Sequence, residues 1–253
     1  MGTFTADVTL PYNFAGGSAV VYNGKITIVG GFASGTYSNV YALDGSTWSS
    51  LTTTPYSARG KTAVVYNNDL YVFGGSPNTD GHTTDFYKYS NGAWTQLTSL
   101  PWACSYANAA VYNNELHVIG SAGSGYYTKH YKWDGNSWTE VSTPPTLYQG
   151  GLVVYNNELH LMNGTVHSKW DGTSWTRVGS CPSFNQGGAV VYRGKIHILG
   201  TSTTTNKNEH YSWSGSSWTA ETSCPYQFYY GAAVVNDDRI HIMGSNVSSY
   251  RKY

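Results

Sequence analysis

The chain has 253 residues, only 11% of them charged, against about 25% in an ordinary soluble domain, and 14 Lys plus Arg balance 14 Asp plus Glu. A net charge of zero leaves no basic patch for nucleic acid or for polybasic attachment to a membrane surface. Aromatic residues at 15% exclude a disordered chain, and no apolar run approaches the ~20 residues of a membrane helix, so no membrane insertion is expected.

In chain order, the first extended segment is residues 4–10, running from Phe4 to Pro11. Residues 19–22 are an apolar strand closed by Asn23-Gly24, residue types that tolerate the positive φ of a two-residue hairpin turn. This hairpin returns as VYNGKIT from Val21, VYNNDLY from Val65, VYNNELH from Val111 and from Val154, VYRGKIH from Val191 and VNDDRIH from Val235. Its second strand alternates, most clearly at residues 115–119, and runs into glycine. A third strand ends at Tyr89, Trp133, Trp170 or Trp213, and a turn such as Asp44-Gly45, Asn91-Gly92, Asp134-Gly135, Asp171-Gly172 or Ser214-Gly215 follows. A fourth strand begins at Trp48, Trp94, Trp138, Trp175 or Trp218, each seven residues before Pro55, Pro101, Pro145, Pro182 or Pro225. Proline there marks an outer edge, where a missing N–H costs little. The five tryptophans are expected to be largely buried. No segment shows helical periodicity with caps.

Six copies of the hairpin face five Trp-to-Pro segments, and the sixth such segment opens the chain, where Phe4 stands seven residues before Pro11. The prolines step by 44, 46, 44, 37 and 43 residues, and a wrap-around step of 39 accounts for all 253, leaving none for a second domain. Short strands in six repeated sets predict an all-β, six-bladed β-propeller with four antiparallel strands per blade. Its last blade is shared between residues 225–253 and 1–11, and residues 4–10 close the ring beside 249–253.

These landmarks resemble the kelch-repeat family: the twin glycines Gly30-Gly31 and Gly74-Gly75, the single Gly120, Gly164, Gly200 and Gly244, the third-strand aromatic and the fourth-strand Trp. Four repeats lack one glycine of the pair, and Asn236 replaces the first-strand tyrosine. The units also look like the YNNE…KWDGxSWT repeats of structural or tail-associated proteins from phages of gut Firmicutes, here as Tyr131-Lys132-Trp133-Asp134-Gly135 and Lys169-Trp170-Asp171-Gly172. Met1-Gly2-Thr3-Phe4 shows no signal peptide, which makes a cytoplasmic or virion-associated location the expectation. Cys104, Cys181 and Cys224 cannot all pair, so free thiols are expected.

The kelch resemblance implies a ligand face built from the loops joining fourth to first strands and second to third strands. Just before each first strand stand Ala15/Gly16, Arg59/Gly60, Ser105/Tyr106, Tyr148/Gln149, Asn185/Gln186 and Tyr229/Tyr230, where otherwise similar repeats disagree. One residue past each proline come Tyr12, Tyr56, Trp102, Thr146, Ser183 and Tyr226, and the second-to-third-strand loops add Phe32, Tyr37, Asp80, His82, Tyr126, Tyr127, Asn206 and Lys207. The candidate ligand-binding set is Arg59, Trp102, Tyr106, Tyr148, Gln149, Asn185, Gln186, Tyr229 and Tyr230. Aromatic and amide side chains of low charge suit stacking on sugar rings or docking of a peptide. Gly16 and Gly60 should leave the mouth more open on that side, beside Arg59.

His117, His160, His197 and His241 repeat at one second-strand position, related by rotation about the axis, so they lie too far apart to share a metal ion. Together with His130 and His210 they read as packing residues between blades. Of the carboxylates, only Asp80, Asp85 and Glu209 fall near the loop face, on different blades, so paired-carboxylate chemistry is not supported. No catalytic residue, metal or cofactor is expected. The expectation is a monomeric, non-enzymatic binding module for a carbohydrate or host surface. The alternatives are a protein-interaction propeller binding a peptide or partner domain, and an engineered scaffold without a ligand.

Overall fold

The computed structural model describes residues 2–6, 8–32, 35–78, 81–122, 127–145, 150–184, 186–201, 208–244 and 250–253. Each blade is organised by a two-residue turn with both residues left-handed: Asn23 (φ 50°) and Gly24 (φ 73°) in one, Asn113 (φ 49°) and Asn114 (φ 59°) in another. That geometry matches the twist of the flanking strands and fixes the hairpin register, as in Tyr22 opposite Lys25 and Tyr112 opposite Glu115.

Blade 1 is β2 (Ser18–Tyr22), β3 (Lys25–Val29), β4 (Asn39–Asp44) and β5 (Thr47–Thr53). Blade 2 is β6 (Thr62–Tyr66), β7 (Asp69–Phe73), β8 (Phe86–Ser90) and β9 (Ala93–Gln96), and blade 3 is β10 (Asn108–Tyr112), β11 (Glu115–Ala122), β12 (Tyr127–Trp133) and β13 (Trp138–Glu140). Blade 5 is β17 (Gly188–Tyr192), β18 (Lys195–Thr201), β19 (Glu209–Trp213) and β20 (Trp218–Ala220). Each first strand neighbours the first strands of the blades on either side, so these six strands line the axis. No helix occurs among the described residues.

Blade 4 departs from four separate strands: it is β14 (Gly151–Tyr155), β15 (Glu158–Trp170) and β16 (Trp175–Phe184). His160 and His167 lie in β15, yet their rings are hydrogen-bonded at 2.8 Å. Seven residues of straight strand would separate them by about 23 Å. The chain therefore reverses between them, near Gly164 (φ 56°), and one continuous element does the work of a second and a third strand. The repeat step of 37 is the sequence trace of this lost loop.

Blade 6 combines both ends of the chain. Its sheet runs from β21 (Ala232–Asn236) through β22 (Arg239–Met243) and β23 (Tyr250–Lys252) to β1 (Thr5–Ala6), with Thr5 opposite Lys252 and Ala6 opposite Arg251. The propeller thus has six blades, five with four strands and one with three.

The core is six apolar clusters, one at each seam between blades. Here the tryptophans depart from expectation. Trp48, Trp94, Trp138, Trp175 and Trp218 are only half-buried, because an outermost strand has neighbours on one side alone. Their partners on the third strand are the buried ones: Trp133 is 2% exposed and Trp170 3%. Trp138 leans on Trp133 across the hairpin, ring centroids 5.1 Å apart. Replacing Trp133 or Trp170 by Ala should cost about 3–5 kcal/mol, and replacing Trp138 or Trp175 distinctly less, as read from urea unfolding midpoints. Cys104, Cys181 and Cys224 are free and buried.

Candidate functional site

In the loops entering five of the six first strands, one described residue holds a left-handed backbone: Gly16 (φ 57°), Gly60 (φ 66°), Tyr106 (φ 53°), Gln186 (φ 60°) and Tyr230 (φ 53°). In this conformation their peptide groups link from blade to blade. Tyr106 N donates to Gly60 O (2.8 Å), Gly60 N to Gly16 O (2.7 Å), Gly16 N to Tyr230 O (2.8 Å) and Tyr230 N to Gln186 O (2.9 Å). This belt rims the mouth of the axial channel. Tyr148, Gln149 and Asn185, with Asp80, Tyr126, Thr146, Asn206 and Lys207, lie outside the described residues.

The belt brings together four aromatic rings and an amide. Tyr230 lies 5.3 Å from Tyr106, 4.2 Å from Tyr229 and 6.0 Å from Phe32, measured between ring centroids, and Gln186 Nε2 donates to its hydroxyl at 2.8 Å. Burial pushes the Tyr106 and Tyr230 hydroxyls up from the usual phenol value, with Arg59 pulling the first back down and Tyr229 helping to raise both. Both stay protonated and able to donate at neutral pH.

The gap expected beside the two glycines is filled. A Cβ on Gly60 would stand 2.7 Å from the Tyr106 ring, and one on Gly16 2.5 Å from the Phe32 ring, so these glycines are the floor on which the rings lie. Arg59 is half-buried, its backbone exchanging hydrogen bonds with Ser76 (3.0 and 2.8 Å). Inside the rim is a cavity of about 130 Å³, lined among others by Ser18, Thr62, Asn108, Gly150, Gly187 and Gly231.

Trp102 is turned away from any ligand: it is 8% exposed in the seam between blades 2 and 3 and stacks on Tyr131 at 4.7 Å. The tyrosines at its position in other blades also point inward. Tyr12 Oη donates to Gly30 O (2.6 Å), Tyr56 Oη to Gly74 O (2.8 Å) and Tyr226 Oη to Ile242 O (3.4 Å). These three tyrosines thus tie their loops to the ends of second strands.

The histidines pair within blades 3, 4 and 5 as His117–His130 (3.0 Å), His160–His167 (2.8 Å) and His197–His210 (2.8 Å). Each pair packs on the next blade, for instance His117 and His130 on Trp170 (4.9 and 5.0 Å). Burial lowers their pKa, to about 4 for His117, His160, His197 and His210 and about 3 for His130 and His167. No group of three or more metal-ligating side chains occurs among the described residues.

Two residues near the mouth escaped the sequence reading. Lys61 is 2% exposed, and its ammonium donates to Thr54 Oγ1 (2.7 Å), Tyr37 O (2.9 Å) and Tyr56 O (3.0 Å) with no carboxylate among these acceptors. Desolvation lowers its pKa to about 7. Asn108 has a buried Nδ2 with no hydrogen-bond partner among the described residues. The available signal was misalignment of type: Lys61 stands where other repeats carry Gly17, Ala107, Gly150, Gly187 and Gly231.

Comparison with known proteins bears on the fold. The family model of the DUF6242 beta propeller domain matches residues 44–176, just over half of the chain. No curated protein matches. The solved structure of YjhT superposes with a TM-score of 0.82 over 98% of this chain and 96% of that one, at 15% identity, a likeness of fold alone.

Proposed function

The chain belongs to the DUF6242 β-propeller family, and from that fold and this mouth we propose a non-enzymatic binding module that takes a carbohydrate across the ring of loops. The observation that carries the reading is the cluster of Tyr106, Tyr229, Tyr230 and Phe32 with the Gln186 amide at the rim of the axial channel. Aromatic faces stack on the C–H faces of a sugar while amide and phenol groups meet its hydroxyls. Arg59 is the one charged residue of the candidate set, which suits a neutral ligand. A peptide would need the wider footprint of Tyr56, Trp102 and Tyr226, and those side chains are engaged inside the blades.

The twin glycines support the kelch reading, and the tail-protein-like repeats favour a host-surface glycan as ligand. A glycan array on the purified chain tests the proposal. Tyr230→Ala should weaken any glycan detected by about tenfold or more, since one stacked ring and one hydrogen-bonded phenol are lost. Unchanged binding in that variant, or an array with no neutral glycan bound, would refute the sugar reading.

A further inference from the structure

The first residues of the six axial strands differ by half of the ring. Blades 1 to 3 begin with Ser18, Thr62 and Asn108, and blades 4 to 6 with Gly151, Gly188 and Ala232. Ser18 Oγ donates to Lys61 O on the next blade (3.0 Å), and Thr62 Oγ1 donates to Ala107 O on the blade after (2.8 Å). The same arrangement continued once more would bond position 108 to blade 4 at Gly150. Asn108 breaks it: its Nδ2 is buried, borders the cavity and has no hydrogen-bond partner among the described residues.

A buried amide N–H without an acceptor costs about 1–3 kcal/mol. A Thr at this position would avoid that, as Thr62 does. The cavity beside it is lined by the rim residues Tyr106, Gln186 and Tyr230 as well as by Ser18, Thr62 and Asn108, so a ring held at the rim can turn a short arm towards Asn108. Among the described residues of the lining Lys61 alone is charged, and its ammonium is held between blades by Thr54, Tyr37 and Tyr56. A group that meets Asn108 Nδ2 must accept a hydrogen bond, and a neutral one suits this lining. A hydroxyl also donates, and Thr62 Oγ1, its own proton committed to Ala107 O, keeps lone pairs to accept.

We infer that the axial cavity receives the hydroxymethyl group of a terminal neutral hexose, with Asn108 Nδ2 donating to its oxygen and Thr62 Oγ1 accepting its proton. This rests on the carbohydrate reading and adds to it which part of the sugar enters. The ring of the sugar stays at the rim against Tyr106 and Tyr230.

Ligand-observed NMR with D-glucose, D-galactose and D-mannose, each beside its 6-deoxy counterpart, tests the inference on the wild type and on Asn108→Thr. At least one hexose should bind the wild type, and removal of its 6-hydroxyl should weaken it about tenfold or more, because a site built around a hydroxyl discriminates strongly against its absence. Asn108→Thr should lose the same factor while its thermal midpoint holds or rises. Equal binding of the deoxy sugar, unchanged affinity in Asn108→Thr, a fallen midpoint in that variant, or no hexose bound by the wild type would each overturn the inference. If Tyr230→Ala abolishes binding while Asn108→Thr and the deoxy sugar do not, the mouth reading stands and this one fails. Loss of neither shows that both are wrong.

Discussion

Thermal stability should fall steeply as the pH drops from 6.5 towards 4. Six buried histidines have folded-state pKa values of about 3 or 4, below the ~6.5 they regain on unfolding. A base whose pKa is depressed by folding binds more protons unfolded, so stability is full above the unfolded value and drains away between the two values. If each of the three pairs takes up one proton on unfolding, the slope is about 4 kcal/mol per pH unit. Between pH 6.5 and 5 that removes about 6 kcal/mol, as much as the whole stability of a domain at the low end of the ordinary range. Scanning calorimetry between pH 7.5 and 4.5 checks this, and a level midpoint across that interval would show that the pairs are not buried as described. At the other end, burial raises the Tyr12, Tyr56 and Tyr226 phenols above their usual value. The unfolded chain ionises first there, so stability is lost again as pH climbs through 10. Lys61, lowered to about 7, adds a gentle rise in stability between pH 7 and 10.5, where only the unfolded chain holds its proton.

Removing residues 1–10 should destabilise the whole ring. That deletion takes away β1, which pairs with β23 through Thr5 and Ala6, and with it Leu10, buried at the seam of blades 6 and 1. It also removes Phe4, whose ring meets Tyr253 at 4.9 Å and His210 at 6.0 Å. Two large apolar side chains and one strand pairing amount to about 5 kcal/mol. In a domain of this size that corresponds to more than about 10 °C in the midpoint. The transition should stay single, because blade 6 joins blades 5 and 1. A midpoint within a degree or two of wild type would mean that the closure contributes nothing.

Much of the architecture could be read directly from the chain. The Asn-Asn and Asn-Gly pairs between first and second strands specify their turn type, and proline and tryptophan recur in phase, so strand order and ring closure followed. Depth of burial did not. Alternation tells which face of a strand Trp138 occupies, but how far that face is covered depends on the neighbouring blade. The same limit misplaced Trp102, whose direction is set by the loop's register on Tyr131. At the mouth, the variable position was identifiable by comparing repeats. The way the rings of Tyr106 and Phe32 lie down on Gly60 and Gly16 was not, because a tyrosine at φ 53° carries no local signature of its left-handed backbone.

The rim of linked peptides has an evolutionary consequence. In its four described links every N–H points to the carbonyl of the preceding blade, so the frame is satisfied before any side chain is chosen. The residues at these positions are glycine, tyrosine and glutamine, and all hold the same backbone. Such a rim works like a set of sockets of common pitch. Exchanging the side chain at the Tyr106, Gln186 or Tyr230 socket alters what the mouth presents while the peptide links stay in place, whereas at Gly16 and Gly60 any added Cβ meets a neighbouring ring. The chemistry that the mouth displays can thus change at three positions by point substitution while the frame of peptide links beneath it stays the same.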